Sequence, residues 1–349
     1  MPNRPLLTIN LAAVADNWRA LDALSAPGVE TAAVVKADAY GLGIARVAPV
    51  LADAGARCFF VAAAEEGTAL RDVIGPGPRI GVFSGYMDGD RDRVAGADLL
   101  PMLNSPEQIR RFAADFPGGA CGLQLDSGMN RLGLEPEDIA AALPEISKLS
   151  PFLAMSHLAC GDDVDAPENA RQLQTFREMA AALPDMALSL SATAGVLLGA
   201  EYHFSMNRPG IGLYGGLPFD AAAPVVRIAI PVIQTRHVNA GEIVGYGGAF
   251  QADRDMRIAT IAAGYADGLI RALGNGATLF ADGVACPLAG RVSMDMLTVD
   301  VTHLDETPDM FDIIGAEQTI DDLAAAAGTI GHEILTSLGH RYNRKYIDA

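Results

Sequence analysis

Short apolar runs alternate with stretches in which leucine and alanine recur at helical spacing through about the first two hundred residues. Runs at 32–35, 58–61, 79–83, 99–103, 120–125, 152–157 and 187–190 read as buried strands, and a less regular one ends near Arg208, making eight. Helices are predicted over 10–24, 44–54, 64–74 and 168–183. Ser105, Pro106 and Gln108 mark the start of another, as cap, first-turn proline and third-position partner. Strands alternating with helices imply parallel pairing, and eight of them suggest a (β/α)8 barrel; an open doubly wound sheet is the alternative. Near Gly215 the pattern changes. Segments 225–238, 257–261 and 296–301 are rich in valine and isoleucine and punctuated by glycine and proline, the signature of an antiparallel β domain. One helix interrupts it over 320–327, with Thr319 as cap. The expected chain is therefore α/β: a barrel over residues 10–217 and a mainly antiparallel β domain over 218–349, which residues 1–9 can join.

Composition narrows the partners. At 349 residues the chain exceeds the size of most single cores, and with half its residues hydrophobic it folds as a globular protein. A net charge of −18 repels nucleic acid and anionic membranes, so neither is expected as a partner. Four scattered cysteines without a C-x-x-C spacing make no disulfide framework and suit a reducing compartment. The opening MPNRPLLTIN has no cleavable apolar core, and no later apolar stretch is long enough to span a bilayer. A cytoplasmic location is expected.

The candidate chemistry starts at Lys36. The chain has three lysines against twenty-two arginines, and one of the three ends the first apolar run, in VVKADAYGLG. A desolvated lysine at the mouth of a sheet is a natural Schiff-base former, and Tyr40 offers a hydroxyl that can meet a phosphate; a snorkelling lysine beside a structural tyrosine is the plainer alternative. Barrel chemistry gathers after the carboxyl ends of strands, where Arg131, His157, Thr193 and Arg208 also fall. A core histidine and a salt-bridged arginine remain open readings for His157 and Arg208. GIGLYG at 210–215 has dinucleotide-binding spacing, but Gly216 and Pro218 follow where a helix should begin, so it is set aside. The six histidines show no paired-ligand spacing, so no catalytic metal is expected.

Six motifs together resemble the alanine racemases: VVKADAYGLG, LDSGMNRLG, MSHLAC followed by ENARQLQTF, MNRPGIGLYGG, IAAGYADGL and GRVSMDM, in the family's order and over nearly the whole chain. The resemblance implies a homodimer with pyridoxal 5′-phosphate as cofactor and a composite site, interconverting L- and D-alanine by two bases and supplying D-alanine to cell-wall precursors. Lys36 would hold the cofactor as an aldimine and serve one face of Cα; Tyr265, from GYADG, would serve the other across the subunit boundary. A phenol is a poor base at neutral pH, so neighbours must tune it, and His157 belongs to that network by resemblance. A core tyrosine is the alternative from the residues alone. Arg208 matches the donor to the pyridine nitrogen. Tyr40, Thr193, Gly210 and Ile211 match the phosphate-binding positions, and Arg131, Met294 and Asp295 those that hold the substrate carboxylate. Racemisation of serine or a wider range of amino acids, or a non-catalytic cofactor carrier, are the alternative functions.

Four positions depart from the family pattern. Gln124 stands where the family commonly has a carbamylated lysine; it is expected to accept a hydrogen bond from Arg131 and to form no carbamate. Ala192 and Thr193 replace an asparagine and a serine, keeping one hydroxyl and losing one polar contact. His340 stands where some members aim a tyrosine at the phosphate, with Tyr342 and Tyr346 as neighbouring candidates.

Overall fold

The computed structural model describes residues 4–274 and 276–348 and divides into two compact units. The larger comprises residues 14–213 with 218–222; the other comprises the described residues of 1–13, 214–217 and 223–349.

In chain order the first strand, β1 (Leu6–Asn10), belongs to the smaller unit and leads directly into the helix Leu11–Leu24. The larger unit then lays down β2 (Glu30–Thr31), β3 (Ala33–Val34), β4 (Cys58–Val61), β5 (Arg79–Val82), β6 (Leu99–Leu103), β7 (Ala120–Gln124), β8 (Ser150–Met155), β9 (Ala187–Ser189) and β10 (Met206–Asn207). Strands β3 to β9 pair in parallel, each with the next in sequence. Every residue of β4 and β6 is buried, as expected of continuous apolar runs covered on both faces. β10 closes the ring. It pairs in parallel with β2, Ala32 N–H and Val34 N–H donate to the carbonyls of Asn207 and Pro209, and on its other side Ser205 N–H and Arg208 N–H donate to Leu188 and Ser191. The irregular eighth run is thus a true barrel strand, and the doubly wound alternative falls away.

Local signals decide the helix starts. Ser105 Oγ accepts the N–H of Gln108 at 3.2 Å with Pro106 in the first turn. Thr319 and Asp322 form a reciprocal capping box at the helix Ile320–Ala327. A further helix, Gly331–Thr336, escaped the sequence reading because six residues behind a glycine develop no periodicity.

The smaller unit is built on β11 (Val226–Val238), long enough to serve two sheet regions. Its first half pairs antiparallel with β1, while β1 pairs in parallel with the last strand of the chain, Asn343–Ile347. A bulge between Val232 and Gln234 then turns its second half onto Met256–Ile261, which pairs with Leu297–Asp300. Met310–Ile314 and the hairpin Thr278–Ala281 with Val284–Pro287 complete the sheet. No helix among the described residues is long and apolar enough to cross a membrane.

Candidate active site

The barrel unit carries Lys36, Tyr40, Gln124, Arg131, His157, Thr193, Arg208, Gly210 and Ile211; the β unit carries Tyr265, Met294 and Asp295.

Lys36 follows β3 immediately after the last sheet bond, from Val35 N–H to Phe60 O at 2.9 Å. The next four residues, Ala37 to Tyr40, all lie near φ = +55°. A left-handed turn without a glycine costs roughly 1–2 kcal/mol per residue and persists only where its surroundings impose it. Three constraints are visible. Glu66 Oε1 accepts the N–H of Ala37 at 2.8 Å, Asp38 Oδ1 accepts that of Ile44 at 2.7 Å, and Gly41 N–H returns to Ala37 O at 2.7 Å. The lysine ammonium sits 5.9 Å from the centre of the Phe83 ring. Its pKa is lowered, first by desolvation and then by the positive charge of Arg131, with Glu66 acting in the opposite sense.

Tyr40, Thr193 and Gly210 are brought together. The Thr193 hydroxyl accepts the N–H groups of Gly210 (3.0 Å) and Gly212 (3.3 Å), fixing the turn at the start of the short 3₁₀ segment Ile211–Tyr214. A Cβ at position 210 would collide with the Tyr40 hydroxyl, so only glycine lets the phenol approach this backbone. Burial raises the Tyr40 pKa, keeping the group a neutral O–H donor. With the Gly210 and Gly212 N–H groups engaged by Thr193 and that of Leu213 by Gly210 O, the two hydroxyls and the N–H of Ile211 form the donor set that suits a phosphate.

Arg208 is buried and contacts no carboxylate among the described residues, which speaks against the salt-bridge reading. It donates to Ser189 Oγ and, at 2.6 Å, to Ser156 O, leaving donors of its fork without an acceptor among the described residues. Burial pulls its pKa down to about 10, still high enough to keep the guanidinium charged at neutral pH. Ser156 Oγ in turn meets Ser127 Oγ at 2.7 Å. The half-buried His157 is held through its backbone: Gln172 Nε2 donates to His157 O at 3.1 Å while Gln172 Oε1 accepts from Ala159 N–H at 2.8 Å.

The Asp126 carboxylate organises the following loop by accepting the N–H groups of Gly128, Met129, Asn130 and Arg131 at 2.8–3.1 Å. Arg131 leaves this turn exposed and close enough to Lys36 to act on its charge. The expected bond between Gln124 and Arg131 is absent. Gln124 is buried and donates to Leu125 O at 3.1 Å, whereas the Arg131 side chain runs outward from a backbone already captured by Asp126.

In the β unit, Tyr265 opens a 3₁₀ turn, Tyr265–Asp267, and is 43 % exposed, which is no core tyrosine. Its N–H donates to Ser293 O and that of Ala266 to Met294 O, both at 3.0 Å. Gly264 permits this pairing, since a Cβ there would strike the carbonyl oxygens of Ser293 and Met294. Tyr265, Met294 and Asp295 thus share one framework. Arg341 locks it, donating to Asp267 through Nε (2.7 Å) and Nη2 (2.6 Å) and to Asp295 through Nη1 (2.6 Å). Of the C-terminal candidates, His340 is exposed, and Tyr342 is buried with its hydroxyl unpaired among the described residues.

Glu66, Asp267 and Arg341 escaped the sequence reading. Asp267 stood inside GYADG and Arg341 beside His340, but only the fold shows that they meet.

Two family models match the chain: alanine racemase, N-terminal domain, over residues 9–218, and alanine racemase, C-terminal domain, over 225–346. The chain is 58 % identical over 340 residues to the alanine racemase of Dinoroseobacter shibae, covering 97 % of each. It is 45 % identical over 369 residues to that of Rhizobium meliloti, covering 98 % of this chain and 96 % of the relative. Among solved structures it resembles alanine racemase from Bartonella henselae with covalently bound pyridoxal phosphate, with a TM-score of 0.94, 36 % identity and coverage of 99 % and 100 % of the two chains. It also resembles biosynthetic alanine racemase from Pseudomonas aeruginosa, with a TM-score of 0.93, 33 % identity and the same coverage. The chain belongs to the alanine racemase family.

Proposed function

We propose that this protein is an isomerase that interconverts L- and D-alanine with pyridoxal 5′-phosphate as its cofactor. The carrying observation is the desolvated Lys36 at the end of the first barrel strand, in a chain whose β unit presents an exposed tyrosine on a clamped turn. The cofactor, when bound, supplies an electron sink for the carbanion at Cα. Lys36 holds the cofactor and moves a proton at one face of Cα, and Tyr265 moves a proton at the other. Tyr40, Thr193, Gly210 and Ile211 bind the phosphate; the partly engaged guanidinium of Arg208 donates to the ring nitrogen, and His157 belongs to the network around Tyr265. Arg131 and the backbone at Met294 and Asp295 bind the substrate carboxylate, with Gln124 as a neutral neighbour of that region.

Residues 10–217 form the cofactor domain, and 218–349, with 1–9, the domain that serves a partner subunit in a homodimer. The exposure of Tyr265, Met294 and Met296 supports this assembly, because apolar groups grouped on adjoining loops favour being covered. A cytoplasmic enzyme feeding D-alanine to cell-wall precursors is the physiological reading.

Proton NMR of L-alanine in heavy water, followed by chiral analysis of the same sample, tests the proposal. Loss of the Cα signal together with D-alanine is expected. Exchange without inversion points to one missing base, and no change with alanine moves the search to serine and larger amino acids. Tyr265→Phe is expected to abolish inversion while leaving cofactor bound, and Lys36→Ala to remove the covalent link.

A further inference from the structure

The Glu66 carboxylate does more than begin a helix. It lies in the first turn of Ala64–Ile74, where acidic residues suit the helix dipole, but both its oxygens are turned onto neighbouring backbone. Oε1 accepts from Ala37 N–H at 2.8 Å and Oε2 from Ala62 N–H at 2.7 Å. Ala37 is the residue after Lys36 and the first of the four left-handed residues; Ala62 follows β4, the strand paired with β3. One side chain therefore ties the start of the unfavourable turn to the end of the next barrel strand. Its charge also bears on the lysine, opposing the effect of Arg131 from the loop organised by Asp126. The Phe83 ring beside the ammonium adds no titratable group.

We infer that Glu66 is a positioning residue for Lys36: its carboxylate pins the left-handed turn that directs the lysine and supplies the negative charge that offsets Arg131. The inference rests on the proposed role of Lys36 as cofactor anchor and base. Geometry and charge are carried by the same group, so variants can separate them. Glu66→Gln keeps the length but loses the charge, and an amide can accept only one of the two N–H groups. Glu66→Asp keeps the charge on a side chain one methylene too short to span both.

Each variant is examined in two ways. In the full-length chain freed of cofactor, Lys36 reactivity toward acetic anhydride is followed against pH by mass spectrometry. In the holoenzyme, kcat and KM for alanine are measured in both directions. For Glu66→Gln the Lys36 midpoint is expected to fall by about half a pH unit or more, because an influence that raises it is gone, and kcat to fall at least tenfold. KM is expected to stay within about twofold, since the carboxylate-binding arginine is untouched. For Glu66→Asp the midpoint is expected to hold while kcat falls. A purely structural Glu66 would lower the unfolding midpoint without moving the Lys36 titration. Unchanged titration and kcat in Glu66→Gln overturn the inference, and so does a titration shift without any loss of kcat in either variant. Lys36→Ala separates the two readings: if that variant still holds cofactor covalently and racemises alanine, the anchor assignment fails and the inference about Glu66 falls with it.

Discussion

Arg341 grips Asp267 with two parallel hydrogen bonds across 74 positions of sequence, and Asp267 is almost wholly buried while Arg341 is about half exposed. The pair is the crossing point of three segments. Asp267 Oδ2 also accepts Gly264 N–H at 2.9 Å, the Asp267 carbonyl accepts Gly339 N–H at 3.1 Å, and the remaining arm of Arg341 reaches Asp295. Tyr265 therefore stands on a turn whose shape depends on a guanidinium far along the chain.

Arg341→Met tests that dependence. The substitution keeps much of the side-chain length and leaves the Asp267 carboxylate buried without its counter-charge. Breaking a fully buried pair costs about 3–5 kcal/mol, and the exposure of Arg341 brings the expectation to about 2–3 kcal/mol. Urea unfolding reads this as a lower midpoint with an unchanged slope. The proton transfer assigned to Tyr265 should suffer as well, with kcat down at least tenfold and the cofactor spectrum intact. Wild-type stability in Arg341→Met would mean that water serves Asp267 equally well.

The phosphate-binding turn yields a second expectation. Thr193→Val is nearly isosteric but removes the acceptor shared by Gly210 N–H and Gly212 N–H, both in buried residues. An unpaired buried donor costs about 1–3 kcal/mol, so a loss of about 2 kcal/mol is expected on thermal or denaturant unfolding of the cofactor-free chain. Gly210→Ala acts differently, by pushing the Tyr40 hydroxyl away. Equilibrium dialysis should find pyridoxal phosphate affinity reduced at least tenfold in both variants. Tight binding in Gly210→Ala would show that Tyr40 has room to move aside.

What the sequence made legible, and what it hid, follows from the range of each interaction. The buried run at 58–61, the cap at Ser105 and the capping box at Thr319 are local, so their residues carry their own signal. The barrel's closing strand was faint because only Met206 and Asn207 pair regularly, the rest of its bonding being single links to both neighbours. The left-handed turn was invisible: glycine is the usual marker of positive φ, and Ala37 to Tyr40 contain none. Glu66 acts on Ala37 from 29 positions away, and Arg341 on Asp267 from farther still, distances at which residue type alone names no partner. Gln124 misled for the opposite reason. Its amide N–H turned to a local carbonyl, Leu125 O, and the exposed Arg131, its backbone held by Asp126, makes no bond to the oxygen that motif spacing had offered it.

Gln124 also governs a prediction about carbon dioxide. A carbamate needs a lysine amine, and here the position is a neutral amide in a buried setting, already bonded to the backbone. Racemisation rates in buffer stripped of carbon dioxide and in buffer with added bicarbonate are expected to agree within about 20 %, as no group at this site reacts with it. Carbon-13 NMR with labelled bicarbonate should show no carbamate resonance. A bicarbonate-stimulated rate would place a reactive amine where the fold has an amide.

Lys36 imposes a pH dependence on the cofactor-free chain. Burial and Arg131 both disfavour its charged form, so its folded pKa lies below the ordinary value of 10.5. Below the folded pKa the lysine is protonated in both folded and unfolded chains, and the whole penalty of holding a charge there is present. Between the folded pKa and 10.5 the unfolded chain binds more protons than the folded one, so stability contributed by this site rises with pH and the penalty is gone above 10.5. Lys36→Met removes the group while keeping an unbranched apolar stem. The variant is expected to be more stable than the wild-type chain at pH 7, with the gap narrowing steadily as the pH approaches 10.5. Urea midpoints of both cofactor-free proteins across pH 6 to 10.5 supply the comparison. A gap that stays constant would mean that the methionine merely packs better, and one that widens would mean that Glu66 outweighs burial and Arg131 together.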